Sequence, residues 1–413
     1  MTPSIVVLGH KDHGKSTFLG KLLFDTNSVP RDKVETTKEI DAEAGRPFEW
    51  AHLLDSFKEE REQEMTYDTA SVFVNGKKGA LYIFIDVPGH SELVHQMISG
   101  ASRADMAILM VSAKEGIDEM SIGHLMLAEF LGMKKLIVGV NKMDAFDYNE
   151  SEFLKIKEKM ETILAGKFKP EDVYYIPLSA REGENVAKVS EKMPWFKGMS
   201  IFERVEDTIA KMKSVPLPMR AIVQDVYPVR SRPLQQESAT GTSGHPASNG
   251  IYPRNGESLA AINVKSGELK KGESVVALPS GKIFSVLNLL SVSGNDTESV
   301  KEGENAGIAL KAGSEISRGT ILAPEKNAPR SIKEADSEIF LFRNFNPAEK
   351  ITIECGSSKA EHQGSIPVET NKIIGLKLNL SALLLLDTEE TFLNKFVIKQ
   401  GGEIIGVGRI KNI

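Results

Sequence analysis

Short apolar runs recur through the first half of the chain, separated by stretches of mixed, helix-periodic sequence. Ile5-Val6-Val7-Leu8, Leu81-Tyr82-Ile83-Phe84-Ile85, Met106-Ala107-Ile108-Leu109-Met110-Val111 and Leu136-Ile137-Val138-Gly139-Val140 are continuous rather than alternating. Strands buried on both faces read this way, so the runs predict a parallel sheet. Between them, Ile117 to Leu131 and Glu152 to Leu164 read as helices. This alternation runs to about residue 212 and predicts an α/β unit. Beyond it, short strands alternate with Gly, Asn and Asp turns, and no long amphipathic helix is evident, which predicts β-barrels. Strands such as Lys350 to Cys355 and Phe396 to Lys399 belong to the last of these. Pro216-Leu217-Pro218 and Ala323-Pro324 to Pro329 read as stiff linkers. The expected units are 1–212, 217–325 and 331–413, and a Ser-, Gly-, Pro- and Thr-rich stretch at about 231–255 is expected to be a flexible insertion in the second.

Residues 9 to 16, Gly-His-Lys-Asp-His-Gly-Lys-Ser, match GxxxxGK[ST] between a strand and a helix start at Thr17. Loop N–H groups and the helix dipole together make an anion site. Gly9, Asp12, His13, Gly14, Lys15, Ser16 and Thr17 are thus candidates to hold phosphates. Lys15 is expected to reach the β- and γ-phosphates, and the Ser16 hydroxyl to ligate Mg²⁺.

Three further segments follow predicted strands. Asp86-Val87-Pro88-Gly89 matches DxxG. An Asp at a strand end can hold Mg²⁺ through water, and the Gly89 N–H can contact a γ-phosphate. Asn141-Lys142-Met143-Asp144 matches NKxD. The Asp144 carboxylate can accept from guanine N1–H and the 2-amino group, a pairing that adenine lacks. N–H groups of Ser179-Ala180-Arg181 are expected to meet guanine O6. The expected fold class is therefore an α/β P-loop GTPase domain with a mostly parallel sheet, followed by two β-barrel domains.

Composition narrows the setting. A chain of 413 residues, 41% hydrophobic and 26% charged, is ordinary for a soluble protein of two or three domains. The single cysteine, Cys355, allows no intramolecular disulfide. A net charge of −6 argues against a broadly basic nucleic-acid binder, and no DNA partner is expected. No signal peptide precedes the phosphate loop and no apolar run is long enough to span a membrane, so a cytoplasmic protein is expected.

On these motifs the chain resembles the translation-factor GTPases of the elongation factor 1-alpha and elongation factor Tu type. The loop Gly9 to Thr17 carries the resemblance. So do Phe48-Glu49-Trp50 with Leu54-Asp55, Glu60-Arg61-Glu62-Gln63-Glu64-Met65-Thr66 and Asp86-Val87-Pro88-Gly89-His90. Met193 to Gly198, Gln224-Asp225-Val226-Tyr227 and Gly267 to Gly319 continue it into the second unit. The resemblance implies that Thr66 closes over Mg²⁺ and the γ-phosphate and that His90 positions the attacking water, so Lys15, Thr66 and His90 are the catalytic candidates. Ser16, Thr66 and Asp86 are the implied metal ligands. GTP and GDP are the implied nucleotides. Aminoacyl-tRNA, the ribosome and a guanine-nucleotide exchange factor are the implied partners. One departure stands out: where the family's first switch usually has Gly two residues before the threonine, this chain has Glu64. Glutamate resists backbone angles that glycine permits, so this switch is expected to move differently.

A second resemblance is to the GTPase subunit of bacterial sulfate adenylyltransferase. It rests on Asn141 to Tyr148, Pro177 to Val186, Glu60 to Gln63 and Ile316 to Gly319. That likeness implies GTP hydrolysis coupled to a partner enzyme, whereas His10, His13 and Glu49-Trp50 fit the translation factors better. A third reading is a regulatory paralogue that no longer binds tRNA. Residues 333–413 hold ten Lys and Arg against eleven Asp and Glu, and tRNA binding leans on phosphate neutralisation. Release or rescue factors fit less well, since those usually carry an N-terminal extension.

Other conspicuous residues read as structural. Trp195 and Phe196 are expected to cover a domain edge, Leu383 to Leu386 to form a buried strand, and His95 and His124 to sit on helices without a chemical role. Glu59-Glu60-Arg61-Glu62 reads as a solvated helical face.

Overall fold

The computed structural model describes residues 2–56, 71–86, 104–130, 132–133, 135–165, 172–212, 217–228, 257–311, 316–355, 358–367, 369–370, 372–387 and 392–412. Thr66, Gly89 and His90 lie outside these residues, as do Glu59 to Gln63, Glu64, His95 and the insertion at 231–255.

Among the described residues the first sheet has six strands: β1 (Ser4–Leu8), β2 (Ser71–Asn75), β3 (Leu81–Asp86), β4 (Ala104–Ser112), β5 (Leu136–Asn141) and β6 (Val173–Pro177). Their order is β2-β3-β1-β4-β5-β6. Strands β3, β1, β4, β5 and β6 run parallel, and β2 is an antiparallel edge on β3. Residues 5 to 8, 106 to 111 and 136 to 138 are all essentially inaccessible, which explains their unbroken apolar sequence. Among the described residues the helices that accompany the sheet include α1 (Lys15–Asp25), α2 (Arg31–Glu43), α3 (Glu119–Phe130), α4 (Glu150–Leu164) and α5 (Ile201–Lys211). Helix α1 buries Phe18, Leu19, Leu22 and Leu23, and α4 buries Phe153, Ile156, Met160 and Leu164, each at helical spacing. Helix α5 opens on a capping box, with Ser200 and Glu203 each satisfying the other's backbone N–H.

The order places β1 between β3 and β4, so the chain leaves β1 to opposite sides. In open α/β sheets ligands bind at such a point, outside the carboxyl ends of the strands. Val7 pairs with Asp86 on one side and with Ile108 on the other, which sets the loop after β1 beside the end of β3.

The rest is antiparallel. Strands β7 (Arg220–Pro228), β8 (Glu257–Ser266), β10 (Ser274–Leu278), β11 (Lys282–Ser285), β12 (Asn288–Leu290), β14 (Asn305–Lys311) and β15 (Ile321–Pro324) form one sheet, with a small ribbon of β9 (Glu268–Lys270) and β13 (Ser299–Lys301). Strands β16 (Arg330–Leu341), β17 (Ile351–Cys355), β18 (Ser358–Glu361), β19 (Ile373–Leu386), β20 (Lys395–Gln400) and β21 (Glu403–Asn412) form another. Just past β18 the Gln363 N–H donates to the Asn379 carbonyl at 2.6 Å, which brings the two edges of this second sheet together as a barrel. Leu384, Leu385 and Leu386 are buried, as expected of that run, but Leu383 is 59% exposed.

The bodies are packed together. Fully buried Arg220 donates to the Asp387 carboxylate at 2.9 Å and to the Asn327 carbonyl at 2.6 Å, joining the two β bodies. Arg409 donates to Glu338 at 2.7 Å and to the Phe130 carbonyl at 3.3 Å, and its guanidinium lies 4.9 Å from the Phe130 ring centroid. The second barrel is thereby held at the end of α3. Among the described residues no helix is long and apolar enough to cross a membrane.

Candidate functional site

The loop after β1 is a short 3-10 turn, Lys11–His13, ended by Gly14 in the left-handed conformation at φ 83°. A β-carbon at Gly14 would lie 2.4 Å from the Asn141 amide nitrogen, so both backbone angle and space call for glycine. Lys15 begins α1, yet its side chain turns back. Its ammonium donates to the carbonyls of Gly9 at 2.8 Å and His10 at 3.1 Å. This places a nearly buried cation under the loop, where phosphate would sit. Ser16 and Thr17 are half-buried on the first turn of α1, and Asp12 is exposed at the loop's tip.

His13 is buried within the loop. Its Nδ1 lies 3.0 Å from the Met110 carbonyl and its Nε2 3.3 Å from Asp118. Burial pushes His13 below the ordinary histidine range, while the Met110 carbonyl and Asp118 pull it upward. Burial also tends to raise Asp118, but the Ser121 N–H and hydroxyl, with His13, hold it below the usual carboxylate range. Asp118 and Ser121 were not legible as partners of the loop, because they lie more than a hundred residues from it.

The opposite end of the cleft forms after β5 and β6. The Asn141 side chain donates to the His13 carbonyl at 2.9 Å and accepts the Ala180 N–H at 2.9 Å. Lys142 is left-handed at φ 65°, and its ammonium pairs with Glu115 at 3.0 Å. Glu115 also takes the Ser112 hydroxyl. Burial tends to raise the Glu115 carboxyl, but Ser112 and Lys142 hold it below its usual range. Asp144 is half-exposed at the rim. Ser179 is fully buried, and its N–H donates to the Glu184 carbonyl at 3.1 Å. The N–H groups of Ser179 and Ala180, expected to meet guanine O6, are therefore engaged inside the protein.

These parts line one cleft of about 820 Å³. Asp12, Gly14, Ser16, Thr17, Asn141, Lys142, Asp144, Ala180 and Arg181 all contribute. So do Lys11 and Glu182, and Pro47 to Ala51 close another side. Such a volume suits a nucleotide-sized ligand. That Phe48 and Trp50 would border the loop at Arg181 was not legible, because neither spacing nor periodicity links residue 50 to residue 181. The expected metal ligands Ser16 and Asp86 offer hard oxygens. Asp86 is buried at the end of β3, and Ser16 lines the cleft. Two such groups fit Mg²⁺, which takes few protein ligands and completes its shell with phosphate and water.

Comparison with known proteins agrees with this geometry. The profile of the elongation factor Tu GTP binding domain matches residues 2–212. The chain is 33% identical to elongation factor 1-alpha of Methanoculleus marisnigri over 345 residues, 83% of this chain and 75% of that protein. It is 32% identical to elongation factor 1-alpha of Pyrococcus furiosus over 378 residues, 90% of this chain and 82% of that protein. Among solved structures, the GTP-bound GTPase-like domain of S. cerevisiae Ski7 superposes with a TM-score of 0.61 at 14% identity, covering 99% of this chain and 97% of that one. Bacterial selenocysteine-specific elongation factor superposes with a TM-score of 0.51 at 18% identity, covering 99% of this chain and 58% of that one. These two likenesses speak to the fold.

Proposed function

We propose that this chain, which belongs to the translation GTPase family of elongation factor Tu and elongation factor 1-alpha, carries aminoacyl-tRNA to the ribosome in its GTP state and lets it go once GTP is hydrolysed. The chain is a GTPase that binds GTP and GDP and yields GDP and phosphate. The carrier reading is supported by the elongation factor 1-alpha relatives, which align with more than four-fifths of the chain. It places the protein in the cytoplasm, with an exchange factor to replace GDP by GTP.

The site residues take these roles in that reading. Lys15 leaves the loop carbonyls for the β- and γ-phosphates, and loop N–H groups from Gly9 to Thr17 hold the remaining oxygens. Asp144 accepts from guanine N1–H and the 2-amino group. Asn141 fixes the loop that reads O6, and the Arg181 N–H takes the contact that Ser179 and Ala180 cannot make. Lys142, held by Glu115, shields the base. Ser16 and Asp86, with Thr66, hold Mg²⁺, which neutralises phosphate charge when bound. His90 orients the attacking water, and the Gly89 N–H senses the γ-phosphate. Positioning and charge neutralisation are most of what phosphoryl transfer needs.

One observation favours a second reading. Ten basic against eleven acidic residues in 333–413 leave the last barrel without a basic excess. A regulatory member that keeps the GTP switch without a tRNA cargo fits that balance, and a partner-coupled GTPase shares its logic. Single-turnover GTP hydrolysis with purified ribosomes, with and without aminoacyl-tRNA, separates the readings. Acceleration that requires aminoacyl-tRNA supports the carrier. Acceleration by ribosomes alone supports a regulatory factor. No response to either removes both.

A further inference from the structure

One side of the nucleotide cleft is formed by residues 47–51, and the Trp50 side chain joins that side to the rest of the site. The Trp50 indole N–H donates to the Arg181 carbonyl at 3.0 Å, in the loop that reads the base. Its ring packs on Phe24 of α1 and on Phe48, with centroids 4.9 Å and 5.0 Å away. The Lys21 ammonium, anchored on Asp25 at 2.7 Å, lies 4.8 Å from the Trp50 ring centroid. The backbone fits just as closely. A β-carbon at Gly20 would lie 1.9 Å from the Trp50 carbonyl oxygen, so only glycine lets this segment rest on α1. Because α1 starts in the phosphate loop, Trp50 spans the phosphate-binding helix and the base-reading loop. Beyond it Leu53 and Leu54 are buried, whereas Arg46, Pro47 and Glu49 are exposed. The segment is thus anchored on one side of Trp50 and solvated on the other.

We infer that Trp50 is a latch on the guanine-nucleotide cleft: its indole bond to the Arg181 carbonyl holds residues 47–51 across the cleft and sets how fast bound GDP leaves. The inference rests on the proposed reading of this cleft as the GTP site. Trp50 acts as a positioning residue, since it works through the segment it holds. Parting the segment from the loop breaks one neutral hydrogen bond, which corresponds to about a two- to tenfold change in rate.

The test is release of a fluorescent GDP analogue from the full chain, chased with excess GDP. Trp50→Phe keeps a ring against Phe24 and removes the N–H. Gly20→Ala displaces the same segment without touching the indole. Each is expected to speed release about two- to tenfold, with association nearly unchanged; melting temperature stays close to that of the parent in Trp50→Phe and falls in Gly20→Ala, where the added methyl group forces a buried backbone contact apart. Because the chain has two tryptophans, Trp50 is the sole reporter in a Trp195→Phe background. Its emission is expected to change on GDP binding and to recover at the rate of release, and faster release with unchanged association is the split that a purely structural role would not give. Unchanged release in Trp50→Phe overturns the latch while leaving the GTP site standing. Failure of the parent chain to bind the analogue overturns both.

Discussion

The side chain of Asn141 ties the two ends of the cleft to each other, donating to the His13 carbonyl and accepting the Ala180 N–H, both at 2.9 Å. Asn141 and His13 are both buried, so neither carbonyl nor N–H has water to fall back on. Asn141→Ala leaves two buried groups unpaired, at about 1–3 kcal/mol each. It is expected to lower guanine-nucleotide affinity at least tenfold and melting temperature by several degrees. Titration with a fluorescent GDP analogue measures the first; affinity within twofold of the parent contradicts the bridging role.

Asp144→Asn tests base selection. An amide presents an N–H where guanine offers donors, replacing two charge-assisted hydrogen bonds that are worth about 1.5–3 kcal/mol each. GTP binding is expected to weaken by about a hundredfold or more, with the preference for GTP over ATP reduced. Competition between the two nucleotides reads this directly, and unchanged discrimination removes Asp144 from the site.

Arg220 and Asp387 test how the β bodies are joined. Arg220 has no exposed surface and Asp387 only 4%. Arg220→Ala strands a buried carboxylate and is expected to cost about 3–5 kcal/mol. Replacing both partners, as in Arg220→Met with Asp387→Leu, is expected to recover most of that loss. Chemical unfolding of the parent, Arg220→Met, Asp387→Leu and the double variant gives the coupling, and additive losses exclude an interaction between the two residues.

The loop histidine predicts a pH response. Burial holds His13 below its ordinary value, so the folded chain keeps it neutral where the unfolded chain begins to protonate. The stabilisation from a neutral His13 is complete above the unfolded value of about 6.5 and is lost progressively as pH falls below it. Asp118, also held low, keeps its contribution down to the acid range. Melting temperature is expected to fall as pH drops below about 6.5, and His13→Gln to flatten that slope. An equal slope in the variant contradicts the assignment.

Much of the first domain was legible because its signals are local. The apolar run Leu136 to Val140 is β5 within one residue, and the loop motif sits where strand, turn and helix meet. Helix α2 was missed because it buries only Val34, Thr37 and Asp41, which leaves no apolar periodicity to read. Trp195 covers an edge as expected, stacked on Phe153 at 5.5 Å with its indole on the Tyr148 carbonyl. The four leucines at 383–386 read as uniformly buried. In fact three enter the apolar cluster that also takes Leu278 and Ala323 from the other β body, and Leu383 faces out. The residues around the motifs were illegible for another reason. Glu115 against Lys142, Asp118 against His13 and Arg181 against Trp50 are contacts made by the fold, with no sequence spacing to announce them.

The carrier proposal meets its most direct test in protection of the aminoacyl ester. Purified chain is loaded with a non-hydrolysable GTP analogue, with the GDP form as control, and spontaneous deacylation of aminoacyl-tRNA is followed over time. Slowed deacylation in the GTP form alone is the predicted result. Equal deacylation in both forms at micromolar protein would contradict it and leave a GTPase that acts without tRNA.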